Sequence, residues 1–206
     1  MKSTPSSDHS GHSSIRIFKS PILEALTHVH PIVPLLIWGP VVLYQEAHSF
    51  SSDHIGILPF VILTLLGLLF WTLTEYGMHR YVFHFKATSR AGKYVVWLFH
   101  GVHHDDPGDP TRLVMPPVVS IVLGTVFYWG FVLILGPTFA RPFFAAFIAG
   151  YLGYDYIHFA THHFRPRTQW GKTVKENHMK HHFLKKGGKW GVSSSLWDHV
   201  FHTFEG

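Results

Sequence analysis

Four apolar runs separated by polar stretches organise the chain. The first covers about residues 31–44 and extends upstream through Leu26. The second covers about 55–74, the third about 118–135 and the fourth about 139–156. A helix needs about 20 mainly apolar residues to cross a bilayer, and the second and third runs meet that length. The first and fourth are shorter and carry Pro or Gly; Pro31, Pro34 and Pro40 are placed to kink the first. Four such runs in 206 residues predict spanning helices rather than the buried core of a soluble domain. Residues 1–19 form a polar tail, rich in Ser over its first fourteen positions and free of the apolar stretch of a secretory signal. Such a tail is expected to be disordered, so His9 and His12 are expected to be solvated and without fixed geometry. The remainder, 20–206, reads as one membrane domain.

Composition agrees with that picture. Charged residues make up 14% of the chain, against about 25% in a soluble domain. The distribution of cations then orients the helices. All Lys and Arg except Arg141 fall before the first run, between the second and third, or after the fourth. With four spans these stretches share one side. The positive-inside rule makes that side, with both termini, cytoplasmic. The formal charge of +5 is therefore a matter of topology and anionic headgroups rather than nucleic acid. His48 and His54 fall on the opposite side, as interfacial loop residues. Trp38, Trp71, Trp129 and Tyr44 suit a bilayer belt or packing between spans. Phe60, Phe70 and Phe127 are candidates to line an acyl groove.

Histidine changes the picture most. Eleven of the nineteen histidines lie in four clusters just outside the apolar runs: His79 and His84; His100, His103 and His104; His158, His162 and His163; His178, His181 and His182. Neutral imidazole is the commonest metal ligand among side chains. One metal takes about six ligands at most, so ten or eleven converging histidines imply two metals. On a helix, positions i, i+3 and i+4 share a face, which brings together His100, His103 and His104, then His178, His181 and His182, and the pair His158 and His162. Adjacent histidines point about 100° apart, so one of each adjacent pair can reach one metal while its neighbour reaches the other. His79 and His84 diverge by about 140° on a regular helix; either the helix distorts there or they serve different metals. His163 exceeds the ten ligands needed and is a candidate either to bind metal or to support a ligand, and His199 and His202 lie near the end of the chain.

The absence of cysteine excludes disulfides, Fe–S clusters, thiolate zinc sites and thiolate nucleophiles. An all-imidazole site suits Fe, Zn, Cu or Ni. At a bilayer surface the available substrate is hydrocarbon, and attack on an unactivated C–H bond takes O2 and a redox metal, hence iron. Zinc competes well for imidazole, so zinc in a purified sample would be compatible with the same site. Glu75, Asp105, Asp155, Asn177 and Asp198 are candidates to orient the histidines through their outer nitrogens. Asp155 is the best placed, one turn before His158. Arg112 and the basic stretch 185–189 are candidates for a headgroup or for a donor's acidic face.

At these clusters the chain resembles the fatty acid hydroxylase superfamily of membrane di-metal enzymes, and within it the fatty acid 2-hydroxylases. The resemblance rests on Glu75-Tyr-Gly-Met-His79-Arg-Tyr-Val-Phe-His84; on His100-Gly-Val-His-His104 followed by Arg112-Leu-Val-Met-Pro-Pro117; and on Tyr154-Asp155 with His158-Phe-Ala-Thr-His162-His163. It continues through His178-Met-Lys-His-His182-Phe183 and Gly191-Val-Ser-Ser-Ser-Leu-Trp-Asp-His-Val-Phe201. It implies an all-α fold of four transmembrane helices under a cytosolic helical cap. It implies metal ligands at His79, His84, His100, His103, His104, His158, His162, His178, His181 and His182, with Tyr154, Asp155 and Glu75 in support. It implies O2-dependent hydroxylation at carbon 2 of a long acyl chain, free or in a sphingolipid. Desaturases and sterol or carotenoid hydroxylases share the histidine spacing and form the alternative. A metal transporter would carry its polar ligands inside the spans, which here are nearly free of charge. Many eukaryotic members begin with a cytochrome b5 domain bearing a His-Pro-Gly-Gly haem motif, and this sequence has no such motif. Electrons are therefore expected from a separate protein, a cytochrome b5 or a ferredoxin with its reductase. The expected location is a bacterial cytoplasmic membrane, with the endoplasmic reticulum as the alternative.

Overall fold

The computed structural model describes residues 14–184 and 187–205; His9, His12, Lys185 and Lys186 lie outside them. The regular structure of the described residues is entirely helical. A short α1 (Pro21–Ala25), capped by Ser20, precedes α2 (Val33–Ser51) and α3 (Ile57–Gly77). The last of these runs on into a π-helical segment, Met78–Phe83. Next come α4 (Arg90–Val96), a second π-helical segment (Trp97–Gly101) and α5 (Val102–Asp105). The long α6 (Pro117–His163), α7 (Gln169–Phe183) and α8 (Leu196–Val200) complete the chain.

Helix α6 is a hairpin rather than a rod. Gly136 takes φ 76°, ψ 160°, a left-handed conformation that glycine adopts without Cβ strain, and Pro137 follows it. In a straight helix Phe127 and Phe147 would stand about 30 Å apart; their ring centroids are 4.8 Å apart. The two arms correspond to the third and fourth apolar runs. Ile57–Phe83 and Pro117–His163 are long and apolar enough to cross a membrane. Only 11% and 17% of their most apolar windows are buried within the protein, the reverse of a soluble core helix.

The core lies where α2 and α3 pack on the α6 hairpin. It is built from Trp38, Trp71, Phe131, Phe144, Phe147 and Tyr151. Close approach depends on small residues. A Cβ at Gly124 would enter the Trp38 ring, and one at Gly67 would collide with the Phe143 carbonyl. Trp38 donates its indole N–H to Ser120 Oγ at 3.2 Å, so Trp38 and Trp71 pack between helices, whereas Trp129 and Tyr44 are exposed.

The first run differs from its sequence limits at both ends. Its upstream extension, residues 26–30, is not helical and links α1 to α2, because Val29 donates its N–H to the Thr111 carbonyl at 2.7 Å and Pro31 follows. Downstream, α2 continues past Tyr44 to Ser51: Ser49 donates to the Gln45 carbonyl at 2.8 Å, and both residues are buried. His48 therefore lies on the helix, 3.6 Å from Asp53, while His54 sits in the following turn at φ 50°. Residues 14–19 are fastened to the body. Ser14 donates to Asp109 at 2.5 Å, and the N–H groups of Ile17 and Phe18 meet Glu24 at 3.0 and 2.7 Å.

Candidate metal centre

The four histidine clusters converge into two groups of five. His79, His84, His100, His104 and His181 form the first; His103, His158, His162, His178 and His182 form the second. Within each, the candidate ligand nitrogens lie within 4.8 Å of one another. The adjacent pairs divide as helical geometry requires: His103 and His104 go to different groups, as do His181 and His182. No carboxylate belongs to either group among the described residues.

The π-helical segment explains His79 and His84. Its bonds run from i to i+5, and the His84 N–H meets the His79 carbonyl at 3.2 Å. Residues five apart then share a face, and both rings enter the first group. The distortion open to this pair is the one that occurs.

The donor set fits metal ions. Neighbouring Nε2 atoms stand 2.8–3.1 Å apart in both groups. Metal–nitrogen bonds of about 2.0–2.1 Å meeting near 90° place adjacent ligand atoms about 2.9 Å apart. Two tautomers are fixed from outside. His79 Nδ1 lies 2.6 Å from the Trp190 carbonyl and His181 Nδ1 2.9 Å from the Gly188 carbonyl. A carbonyl can only accept, so these Nδ1 atoms carry the protons and the Nε2 lone pairs point inward.

The loop that carries these carbonyls is held by two buried carboxylates. Asp198 accepts from the N–H groups of Trp190 (2.9 Å) and Gly191 (2.8 Å) and from Thr203 Oγ1 (2.7 Å). Glu75 accepts from the N–H groups of Val192 (2.6 Å) and Ser193 (2.8 Å) and from the Ser193 hydroxyl. Both therefore act on the histidines through the loop. Asp105 accepts from the Trp97 indole at 2.7 Å. Asp155 is buried beside Tyr151 and the Met115 backbone, and it lines a cavity with His158. The Trp190 ring stands 4.9 Å from His84 and 5.1 Å from His181. Sequence reasoning missed Trp190 and Gly188, whose contribution is made by backbone carbonyls. His163 and His199 lie outside both groups and pack on Phe159 and Phe204.

Two adjacent cavities lie at and beside the centre. One, of about 270 Å³, is lined by His100 of the first group and by His103 and His158 of the second, with Leu23, Leu26 and Phe99 at its apolar walls. The other is smaller and almost wholly apolar, and lies among Trp38, Trp71, Phe127 and Phe147. Phe83, Met115 and Tyr154 border both, so the two cavities share walls, the smaller one lying within the helix bundle. Phe127 lines it; Phe70 packs on Phe131, Phe143 and Phe147, and Phe60 on Phe50. Arg112 also reaches the larger cavity, tied to Glu24 at 2.6 Å and to His28 at 3.0 Å.

Burial keeps these imidazoles neutral. Desolvation, reinforced by His181, lowers His84 to about 4, and desolvation with His182 and His181 lowers His104 to about 2. His182 is lowered to about 3 by desolvation and its neighbour His162. Below 6.5, the ordinary imidazole value, the unfolded chain takes up protons that the folded, metal-free centre refuses. Stability of the metal-stripped protein should therefore fall as pH drops from 6.5 toward 4. A thermal midpoint at pH 5 equal to that at pH 7 would contradict this.

Residues 64–203 match the profile of the fatty acid hydroxylase family. The chain belongs to that family. It is 35% identical to the fatty acid 2-hydroxylase of Rattus norvegicus over 92% of this chain and 56% of the relative. It is 38% identical to the dihydroceramide fatty acyl 2-hydroxylase FAH1 of Arabidopsis thaliana, over 91% of this chain and 79% of the relative. The chain thus spans about half the length of the mammalian fatty acid hydroxylase it matches. The solved structure of full-length Scs7p, in which only the hydroxylase domain is visible, superposes with a TM-score of 0.88 at 35% identity, covering 95% of this chain and 74% of that one. The fatty acid hydroxylase fold of this chain is therefore all-helical, membrane-associated and rich in converging histidines.

Proposed function

We propose that this chain hydroxylates carbon 2 of a long acyl chain, free or N-linked in a ceramide, in an O2-dependent reaction at two metals held by the ten histidines. The observation that carries this reading is a largely apolar cavity lined by histidines of both groups, with a second apolar cavity of the helix bundle beside it. Relatives named for acyl 2-hydroxylation support the same position on the chain and favour it over desaturation or sterol and carotenoid hydroxylation. Iron, when bound, supplies the O2 chemistry that C–H attack takes; zinc in a purified sample is compatible with the same donors.

The protein's own part is positioning and exclusion of water. Phe83, Met115 and Tyr154 guide the acyl chain from the bundle to the histidines. Carbon 2 is one bond from the head of the chain, so the head must lie close beside the centre. Tyr154 and Asp155 line the cavity one turn ahead of His158, where that head would lie. The apolar walls keep the reacting carbon dry.

The topology that goes with this reading has four spans, α2, α3 and the two arms of α6, under a cap formed by the remaining helices. The cap is cytoplasmic by the Lys and Arg distribution. Residues 20–206 form the hydroxylase domain, and its electrons come from a carrier protein such as a cytochrome b5 or a ferredoxin. The bacterial assignment rests on the sequence alone; the relatives named here are from a mammal and a plant.

Lipid analysis of a host with and without this chain tests the function. Expression should raise 2-hydroxy acyl lipids. New alkenes or ring-hydroxylated products, with no change in 2-hydroxy acids, would favour the alternative.

A further inference from the structure

Hydroxylation balances only with reductant from outside the lipid. One atom of O2 enters the C–H bond, and the other leaves as water with two electrons and two protons. Electron transfer weakens steeply with distance, so a carrier must seat where the histidines come near the surface. His84 provides such a place. It lines an open cleft of about 510 Å³ together with Arg80, Tyr81, Phe85, Lys86 and Trp190. Among the described residues, no carboxylate lines this cleft. Tyr81 and Phe85 are 60% and 61% exposed, Lys86 is exposed, and the Arg80 guanidinium lies 4.9 Å over the Tyr81 ring. Aromatic side chains and arginine around a polar opening are the composition of a protein interface. The Trp190 indole spans the gap between the cleft and the first group, edge-on to His84 and His181. The cleft shares no lining residue with either acyl cavity, so it stays open while lipid is bound. Of the nearby lysines, Lys180 and Lys189 are engaged elsewhere, and Lys185 and Lys186 lie outside the described residues. Lys180 is paired with Glu176 at 2.5 Å, and Lys189 bonds the Phe204 carbonyl and covers its ring at 3.8 Å.

We propose that the cleft between the Met78–Phe83 segment and the Gly188–Trp190 loop is the docking surface for an acidic one-electron carrier protein, whose electrons enter at the His84 side of the first group. This rests on the hydroxylase reading, because only that reaction calls for the electrons.

The test uses the full chain, iron-loaded and in nanodiscs, with the soluble haem domain of a cytochrome b5 as probe. Lys86→Glu should weaken binding of that domain roughly tenfold at low salt, and the difference should shrink as salt rises. Lys19→Glu, in the segment ahead of α1, should bind it as the parent does. Because the chain has no cysteine, Lys86→Cys can carry a single benzophenone. Irradiation should give an adduct with the haem domain. Unchanged binding by Lys86→Glu, an equal loss in Lys19→Glu, or adducts with lipid alone would each overturn the docking site. Dithionite with methyl viologen, bypassing the carrier, should restore Lys86→Glu turnover to the parent's rate. If neither chain hydroxylates lipid with that reductant, the hydroxylase reading fails, and the binding and adduct results still decide whether the cleft is a docking surface.

Discussion

His181→Ala is expected to lower turnover by at least about a hundredfold while leaving the membrane helices inserted. Its Nε2 meets that of His84 at 3.1 Å, and its Nδ1 is fixed by the Gly188 carbonyl. Removing this ring deletes one of five donors in the first group and leaves the Gly188 carbonyl without its imidazole partner. Loss of a residue that merely orients a ligand costs about 10–100-fold in metal affinity or activity, and loss of the ligand itself should cost more. Insertion should survive because α7 lies outside the long apolar helices. Mass spectrometry of product lipids, with metal content by elemental analysis, reads both effects. His9→Ala and His12→Ala should match the parent; equal losses in these tail variants would contradict the assignment of function to the clusters.

Asp198→Asn should weaken metal binding about 10–100-fold, and at the first group only. The Asp198 side chain is fully buried and accepts from two backbone N–H groups and one hydroxyl. In asparagine an NH2 replaces one of those acceptors and faces a donor. A buried donor left unsatisfied costs about 1–3 kcal/mol, so the loop should loosen and the Trp190 carbonyl should drift from His79. Competition with a chelator should show one metal leaving early and the other leaving as in the parent. Equal loss from both groups would mean that Asp198 supports the whole fold rather than this loop.

The helices and the centre were legible in the sequence to different depths. Apolar runs marked the helices, and the interval between about 135 and 139 separated the third from the fourth. The end of α2 was hidden because its last turns bury polar side chains, Gln45 and Ser49, which read as loop. The ten histidines were legible because i, i+3 and i+4 spacing needs only a regular helix. Their division between two groups was legible only for the adjacent pairs. The meeting of His79 with His84 required a π-helical turn, which spacing permits but does not dictate. Glu75 and Asp198 were visible as carboxylates near the centre, yet their partners are backbone N–H groups more than a hundred and about eight residues away. No side-chain pattern announces such a partner, and the same holds for the carbonyls of Gly188 and Trp190.

The most direct test of the central claim is the fate of labelled oxygen. Purified, iron-loaded protein should be given ceramide, reductant and ¹⁸O2, and the N-acyl chain should be fragmented by mass spectrometry. One ¹⁸O atom on carbon 2 is the predicted result. Label at another carbon, an alkene, or a hydroxyl carrying oxygen from water would contradict the account.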